Sequence, residues 1–388
     1  MIGAHRRALR LGAAVLGLGL LATGCGSSSG TAKGKVEEST TTTTVAKGPE
    51  TTAAQLRAKL AGLFQEHIYL AGAASGARGR SDESAGAVAA LAGNGDALST
   101  NMTAIFSGKD SGVAQQFGIL WKKQVDMLSG AASGDLSQNA DAIGALLSSA
   151  LPSLSADAVA GPLTAGEQAA AKAADFTGLR TASTQMATMG STLAGAIAKK
   201  YPDKIGGDPA SKGADLLAGL SAALREHVYL VCAASDAAVA GRADEFNAAK
   251  AAVDANSAAV TDAIAGVFGA DAGKTFGPLW AKHVGFLYDY ANALAAKQQD
   301  KADAAMTNLL AYADDFGAFV NGALPKLGKD SVAGLITAHA SILKDVMDAQ
   351  AAKNWTKAYA SERIGADHMS MVANTLASAI VAQSPDKY

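Results

Sequence analysis

Apolar residues in the second half of the chain recur on a helical beat around three histidines. Around His227 they stand seven before (Leu220), three before (Leu224), three and four after (Leu230, Val231) and seven after (Ala234). The same offsets give Phe276, Trp280, Phe286, Leu287 and Tyr290 around His283, and Val332, Ile336, Ile342, Leu343 and Val346 around His339. Offsets of three, four and seven trace one face of an α-helix, so the pattern predicts three helices whose buried stripes each carry a histidine. These histidines are 56 and then 56 residues apart, and Asn256, Tyr312 and His368 keep the same period on intervening apolar patterns. Each 56-residue unit therefore reads as an αα-hairpin, and three hairpins make a six-helix half.

The first half repeats the scaffold. Leu63 to Leu70 matches Leu224 to Leu230, Phe117-Gly118-Ile119-Leu120-Trp121 matches Phe276-Gly277-Pro278-Leu279-Trp280, and Leu151-Pro152 matches Leu324-Pro325. Gly206-Gly207-Asp208-Pro209 marks the junction. The expected fold class is all-α, two tandem helical-bundle domains at 54–206 and 207–388, each built from about three αα-hairpins. Abundant alanine favours helix and close helix approach.

The first 24 residues describe export. Arg6, Arg7 and Arg10 precede an apolar stretch from Leu11 to Leu21 that is too short to span a bilayer comfortably. Leu21-Ala22-Thr23-Gly24-Cys25 resembles a bacterial lipobox, which implies cleavage before Cys25, lipidation of its sulfur and a lipoprotein anchored outside the cytoplasmic membrane. Residues 25–53 are rich in Gly, Ser and Thr and read as a flexible tether. Loss of the leader leaves 30 basic against 35 acidic side chains, a net charge of −5. With no basic runs, the mature chain is a poor ligand for nucleic acid, and its expected membrane partnership runs through the anchor. Cys232 is then the one remaining cysteine, set among apolar residues as a buried thiol.

Packed about a pseudo-threefold axis, the first helices of the three hairpins bring His227, His283 and His339 to one depth. Converging imidazoles suit a transition metal, copper or zinc, or a haem. His368 is a candidate fourth ligand, and Met371, three residues on, a candidate thioether that favours copper. Glu226 and Asp367 each precede a histidine and point about 100° away, towards solvent or a supporting role. The first half keeps His67 but has Gln124, Gly166 and Gln185 where His283, His339 and His368 stand, so the fold does not need those histidines. No Cys-x-x-Cys, no His-Glu-x-x-His and no Gly-x-Ser-x-Gly elbow after a strand occurs, and no catalytic residue is assigned.

Arg225-Glu226-His227-Val228-Tyr229-Leu230, the run from Phe276 to His283, and His368-Met369 with the closing Pro385-Asp386-Lys387-Tyr388 resemble a helical module of cell-surface proteins from Firmicutes and Actinobacteria. Some of these are named after a copper amine oxidase N-terminal domain elsewhere in their chains. The resemblance implies an all-α extracellular module and carries over no activity. Three readings follow: a metal or haem carrier; a noncatalytic structural or protein-interaction module with hydrogen-bonded core histidines; or a solute binder with a polar cleft between its halves.

Overall fold

The structure, a computed structural model, describes residue 46 and residues 48–388. The leader, Cys25 and most of the expected tether lie outside the described residues. All regular structure among the described residues is helical. The first half comprises α1 (Thr52–Gly76), α2 (Ser81–Ile105), α3 (Ser111–Ser129), α4 (Leu136–Ala150), α5 (Asp157–Ala170) and α6 (Phe176–Lys200). The second comprises α7 (Lys212–Val239), α8 (Ala243–Phe268), α9 (Ala270–Ala295), α10 (Gln299–Ala323), α11 (Lys329–Ala351) and α12 (Trp355–Gln383). Consecutive helices pair as antiparallel hairpins, as the 56-residue period predicts.

Each hairpin turn of the second half is made the same way. Gly241, Lys297 and Lys353, again 56 residues apart, take left-handed backbone at φ 70°, 56° and 55° just past α7, α9 and α11. The next amide bonds a carbonyl five residues back: Arg242 to Ala237, Gln298 to Ala293, Asn354 to Ala349. This is the Schellman closure, which satisfies carbonyls a helix end leaves unpaired and favours glycine at the left-handed position. Two of the three turns use lysine instead.

The end of the tether is fastened. The Asp208 amide donates to Ala46 O (2.9 Å) and the Ala53 amide to Gly206 O (3.0 Å), so the chain entering α1 is held against the inter-half junction. The helix opens at Thr52, with the Thr51 hydroxyl accepting from the Ala54 amide.

Within the second half α7, α9 and α11 pack on one another, and within the first half α1 packs on α3 and α5. The other face of α1 lies on the other face of α7, and α2 lies on α12. By length and apolarity α7 is able to cross a membrane; most of it is buried, because it has a protein neighbour on both sides. Sequence-equivalent groups cross the α1–α7 contact. Glu66 on α1 accepts from Arg225 on α7 (3.0 Å) and from Arg363 on α12. Glu226 on α7 accepts from Tyr69 on α1 (2.8 Å), Arg180 on α6 (3.1 Å) and Asn256 on α8 (2.7 Å). Tyr69 and Tyr229 stack at 5.1 Å with planes 12° apart. Glu226 is thus 7% exposed, contrary to the expectation that it faces solvent or merely supports its neighbour: the face 100° from the histidine stripe meets the other half. Asp367, whose side chain is 60% exposed, still bonds Arg225 at 2.7 Å.

Two outcomes are expected in denaturant titrations. Lys353→Gly, which relieves a left-handed non-glycine residue, stabilises by about 1 kcal/mol; a destabilisation contradicts the strain. Arg225→Ala, which leaves the buried Glu66 carboxylate with Arg363 alone, costs about 3 kcal/mol; a cost below about 1 kcal/mol, the surface-pair range, contradicts a buried ion pair.

Candidate metal centre

His227, His283 and His339 project from α7, α9 and α11 to one point, where one ligand nitrogen of each lies within 4.8 Å of the others. All three are buried, at 0%, 3% and 2% exposure. Ring centroids are 5.0 Å apart for His227–His283, 6.0 Å for His227–His339 and 6.3 Å for His283–His339. Trp280 walls the cluster, its ring 4.9 Å from His227 and 4.6 Å from His283. Tyr312 stacks on His283 at 5.1 Å.

Burial decides the charge state. Desolvation pulls His283 down to about 4 from its usual 6.5. It holds His227 and His339 well below their usual value as well, with neighbouring imidazoles adding to the effect. Three neutral rings therefore stand together at pH 7, each with one N–H and one lone pair. The Nδ1 of His283 lies 3.2 Å from Trp280 O, which only accepts, so Nδ1 carries the proton and Nε2 the lone pair. Neither nitrogen of His227 and neither of His339 has a hydrogen-bond partner among the described residues. A buried polar atom left unpaired costs about 1–3 kcal/mol, and nothing among the described residues offsets that cost for these four nitrogens.

His368 does not join the three. In four of the hairpins a second-helix side chain donates to the carbonyl four residues before the first-helix slot. Asn94 bonds Leu63 O, Asn139 bonds Leu120 O, Asn256 bonds Ala223 O, and His368 Nε2 bonds Leu335 O, all at 2.9–3.0 Å. His368 is thus a helix-to-helix fastener like the asparagines, its ring parallel to that of His339 at 6.4 Å. Tyr312 holds the same register without the bond, and its hydroxyl is unpartnered among the described residues. Met371 departs further from expectation. It is 57% exposed, whereas Met369 is 2% exposed; two residues on from a buried position carries the side chain about 200° round the helix, away from the core.

The first half shows the same geometry with a different pattern of matched polar atoms. His67 packs on Trp121 at 4.8 Å as His227 does on Trp280, but its Nδ1 meets Asn94 Oδ1 at 3.3 Å. In the second half Asn256 turns its amide to Glu226 instead and leaves His227 alone. Gln124 takes an amide hydrogen from Asn139. A side chain at Gly166 would run into Ile68, whose Cδ1 lies 2.5 Å from the Cβ position, so the third slot is filled from α1. Gln185 is exposed. Sequence reasoning passed over the role of Trp280, although the Trp121–Trp280 match placed it three residues before the slot. It also passed over Glu167, buried one residue after Gly166 with both carboxylate oxygens unpartnered among the described residues.

The chain matches no family model, no curated protein and no solved structure.

Burial raises Glu167 to about 8 from the usual 4.5. The folded state then holds a proton that the unfolded state releases between these values, so stability falls as pH rises from about 4.5 to 8. Glu167→Gln is expected to raise the melting temperature by a few degrees at pH 8 and to leave it unchanged at pH 4. Equal shifts at both pH values would show the carboxyl to be solvated.

Proposed function

We propose that this protein is a binding protein that holds a divalent transition metal ion, zinc or copper, on His227, His283 and His339. One observation carries the reading: three neutral imidazoles converge, with both nitrogens of His227 and His339 lacking a hydrogen-bond partner among the described residues. Neutral imidazole is the form that binds metal, and burial already supplies it. The Nδ1–H of His283 on the Trp280 carbonyl aims its Nε2, the orienting contact that metal-bound histidines use. Nitrogens on a tetrahedral zinc ion lie about 3.4 Å apart, from bonds of about 2.0–2.1 Å. The present spread, up to 4.8 Å, is close enough for ring rotation to cover.

The donor set also narrows the ligand. With Met371 turned outwards and Cys232 elsewhere in the fold, no soft sulfur joins the histidines, so a borderline divalent ion fits better than Cu(I). Ring centroids 5.0–6.3 Å apart leave no slot for a porphyrin plane, which favours an ion over haem. The lipobox resemblance at Cys25 puts this function on the outer face of the cytoplasmic membrane, with the helical unit carried on its tether.

The test is elemental analysis of the full chain purified without a polyhistidine tag, then titration with zinc and copper. Near-stoichiometric retention is expected, abolished by the His283→Ala, His339→Ala double substitution. No binding at micromolar metal, with the substitutions changing stability alone, would overturn the metal reading in favour of a structural or protein-interaction module.

A further inference from the structure

A cavity of about 200 Å³ lies where the two halves meet, on the side of the α1–α7 contact away from the histidines. Its walls are related by the duplication, which makes their differences informative. Tyr69 and Tyr229 are equivalents, as are Glu83 and Glu245, each at the start of the second helix of its half. Where α6 contributes Phe176 and Leu179, however, α12 contributes Tyr359 and Glu362; where α1 contributes Gly76, α7 contributes Asp236. At these positions the first half is apolar and the second polar or acidic.

The charges do not balance. Arg80 is engaged by Glu83 (2.6 Å), and Arg242, just outside the lining, by Asp236 and Glu245. Glu362 is 8% exposed and makes no ion pair with Arg80 or Arg242, and Oδ1 of Asp236 is buried without a partner among the described residues. Four carboxyl groups therefore face two guanidinium groups. Leu179 shows that the scaffold accepts an apolar side chain where Glu362 stands, so the fold does not demand the acid. An unmatched carboxylate this deep is costly unless it takes up a proton or a cation meets it. Burial, with Asp236 and Glu66 adding to it and Arg363 opposing, accordingly pushes Glu362 well above the usual carboxylate range.

We infer that this cavity binds a small organic cation, its charged head against Glu362 and Asp236 and its apolar body against Phe176, Leu179 and the stacked tyrosines. The size fits: an apolar cavity of about 150 Å³ holds a benzene ring, so 200 Å³ takes a ring with a short ammonium arm. Aromatic faces beside the acids add cation–π attraction. The site is independent of the histidine cluster, and its ligand is recognised by charge and shape with no metal involved.

The experiment is isothermal titration of the full chain with 2-phenylethylammonium and with its neutral isostere 2-phenylethanol. Saturable one-to-one binding of the cation is expected, at least about tenfold tighter than the alcohol. Glu362→Gln should weaken the cation at least about tenfold and leave the alcohol unchanged. Glu362→Leu, which copies the wall of α6, should abolish the preference while melting no lower than the parent. Absence of binding at millimolar cation, or equal affinity for cation and alcohol, overturns the inference even if no variant folds; so does a Glu362→Gln protein that binds the cation like the parent. Metal retention by His227, His283 and His339 is read separately, so the two assignments fail independently.

Discussion

The burial of charged side chains between α1 and α7 is the constraint on which the rest of this molecule depends. Each helix sends a carboxylate into the contact, Glu66 and Glu226, and each carboxylate is met by groups from the opposite half. Neither acid tolerates this depth alone, since an unpaired buried charge costs several kcal/mol (about 3–5 when one partner is removed). The pairing therefore fixes the rotation and height of α7 against α1. With α7 set, His227 one residue on is turned into the second half, and Tyr229 and Asp236 are turned towards the inter-half cavity.

Duplication supplies a comparison inside one chain. The fastener from second helix to first-helix carbonyl persists in both halves, carried by Asn94, Asn139, Asn256 and His368, so it belongs to the scaffold. What separates the halves is where the unpartnered atoms fall: among the described residues the second half has both nitrogens of His227 and of His339, whereas the first has His67 Nε2, Gln124 Nε2 and both oxygens of Glu167. His67 has Asn94, whereas the equivalent asparagine beside His227 is drawn away by Glu226. The inter-half network thus reaches the histidine cluster through Asn256: the carboxylate that locks α7 to α1 holds its Nδ2, while its Oδ1, the counterpart of the atom that meets His67, has no partner among the described residues. A histidine free of protein partners, held neutral by burial, is what a metal ion requires.

Both candidate sites sit beside α7 but face opposite ways, and they select opposite chemistry. The three-histidine cluster has Trp280 and Tyr312 against its rings and offers imidazole lone pairs. The cavity between the halves offers carboxylates opposite apolar side chains. In each, the half that carries the chemistry differs from its twin at a few positions: His283 for Gln124, His339 for Gly166, Glu362 for Leu179, Asp236 for Gly76. The backbone is shared, so these substitutions act on a frame already stable without them.

The sequence by itself determined the helices, their pairing into hairpins and the convergence of His227, His283 and His339, because a repeat of 56 residues puts equivalent side chains on equivalent faces at one depth. Hydrophobic spacing also marked the stripe that each histidine shares with Trp280 or Ile336. Tertiary structure decided what lies beyond the other face of each helix. Periodicity tells a buried stripe from its opposite side, yet it does not tell water from a second protein surface, so Glu226 read as a solvent-facing neighbour while it holds the two halves together. The same limit governs stripe edges. Met371 and His368 are three residues apart and seemed to share a face, but the buried arc of α12 is centred near Met369, which leaves His368 at its rim and Met371 outside it. Where an arc is centred depends on which neighbours press on the helix, and only the packed halves set that.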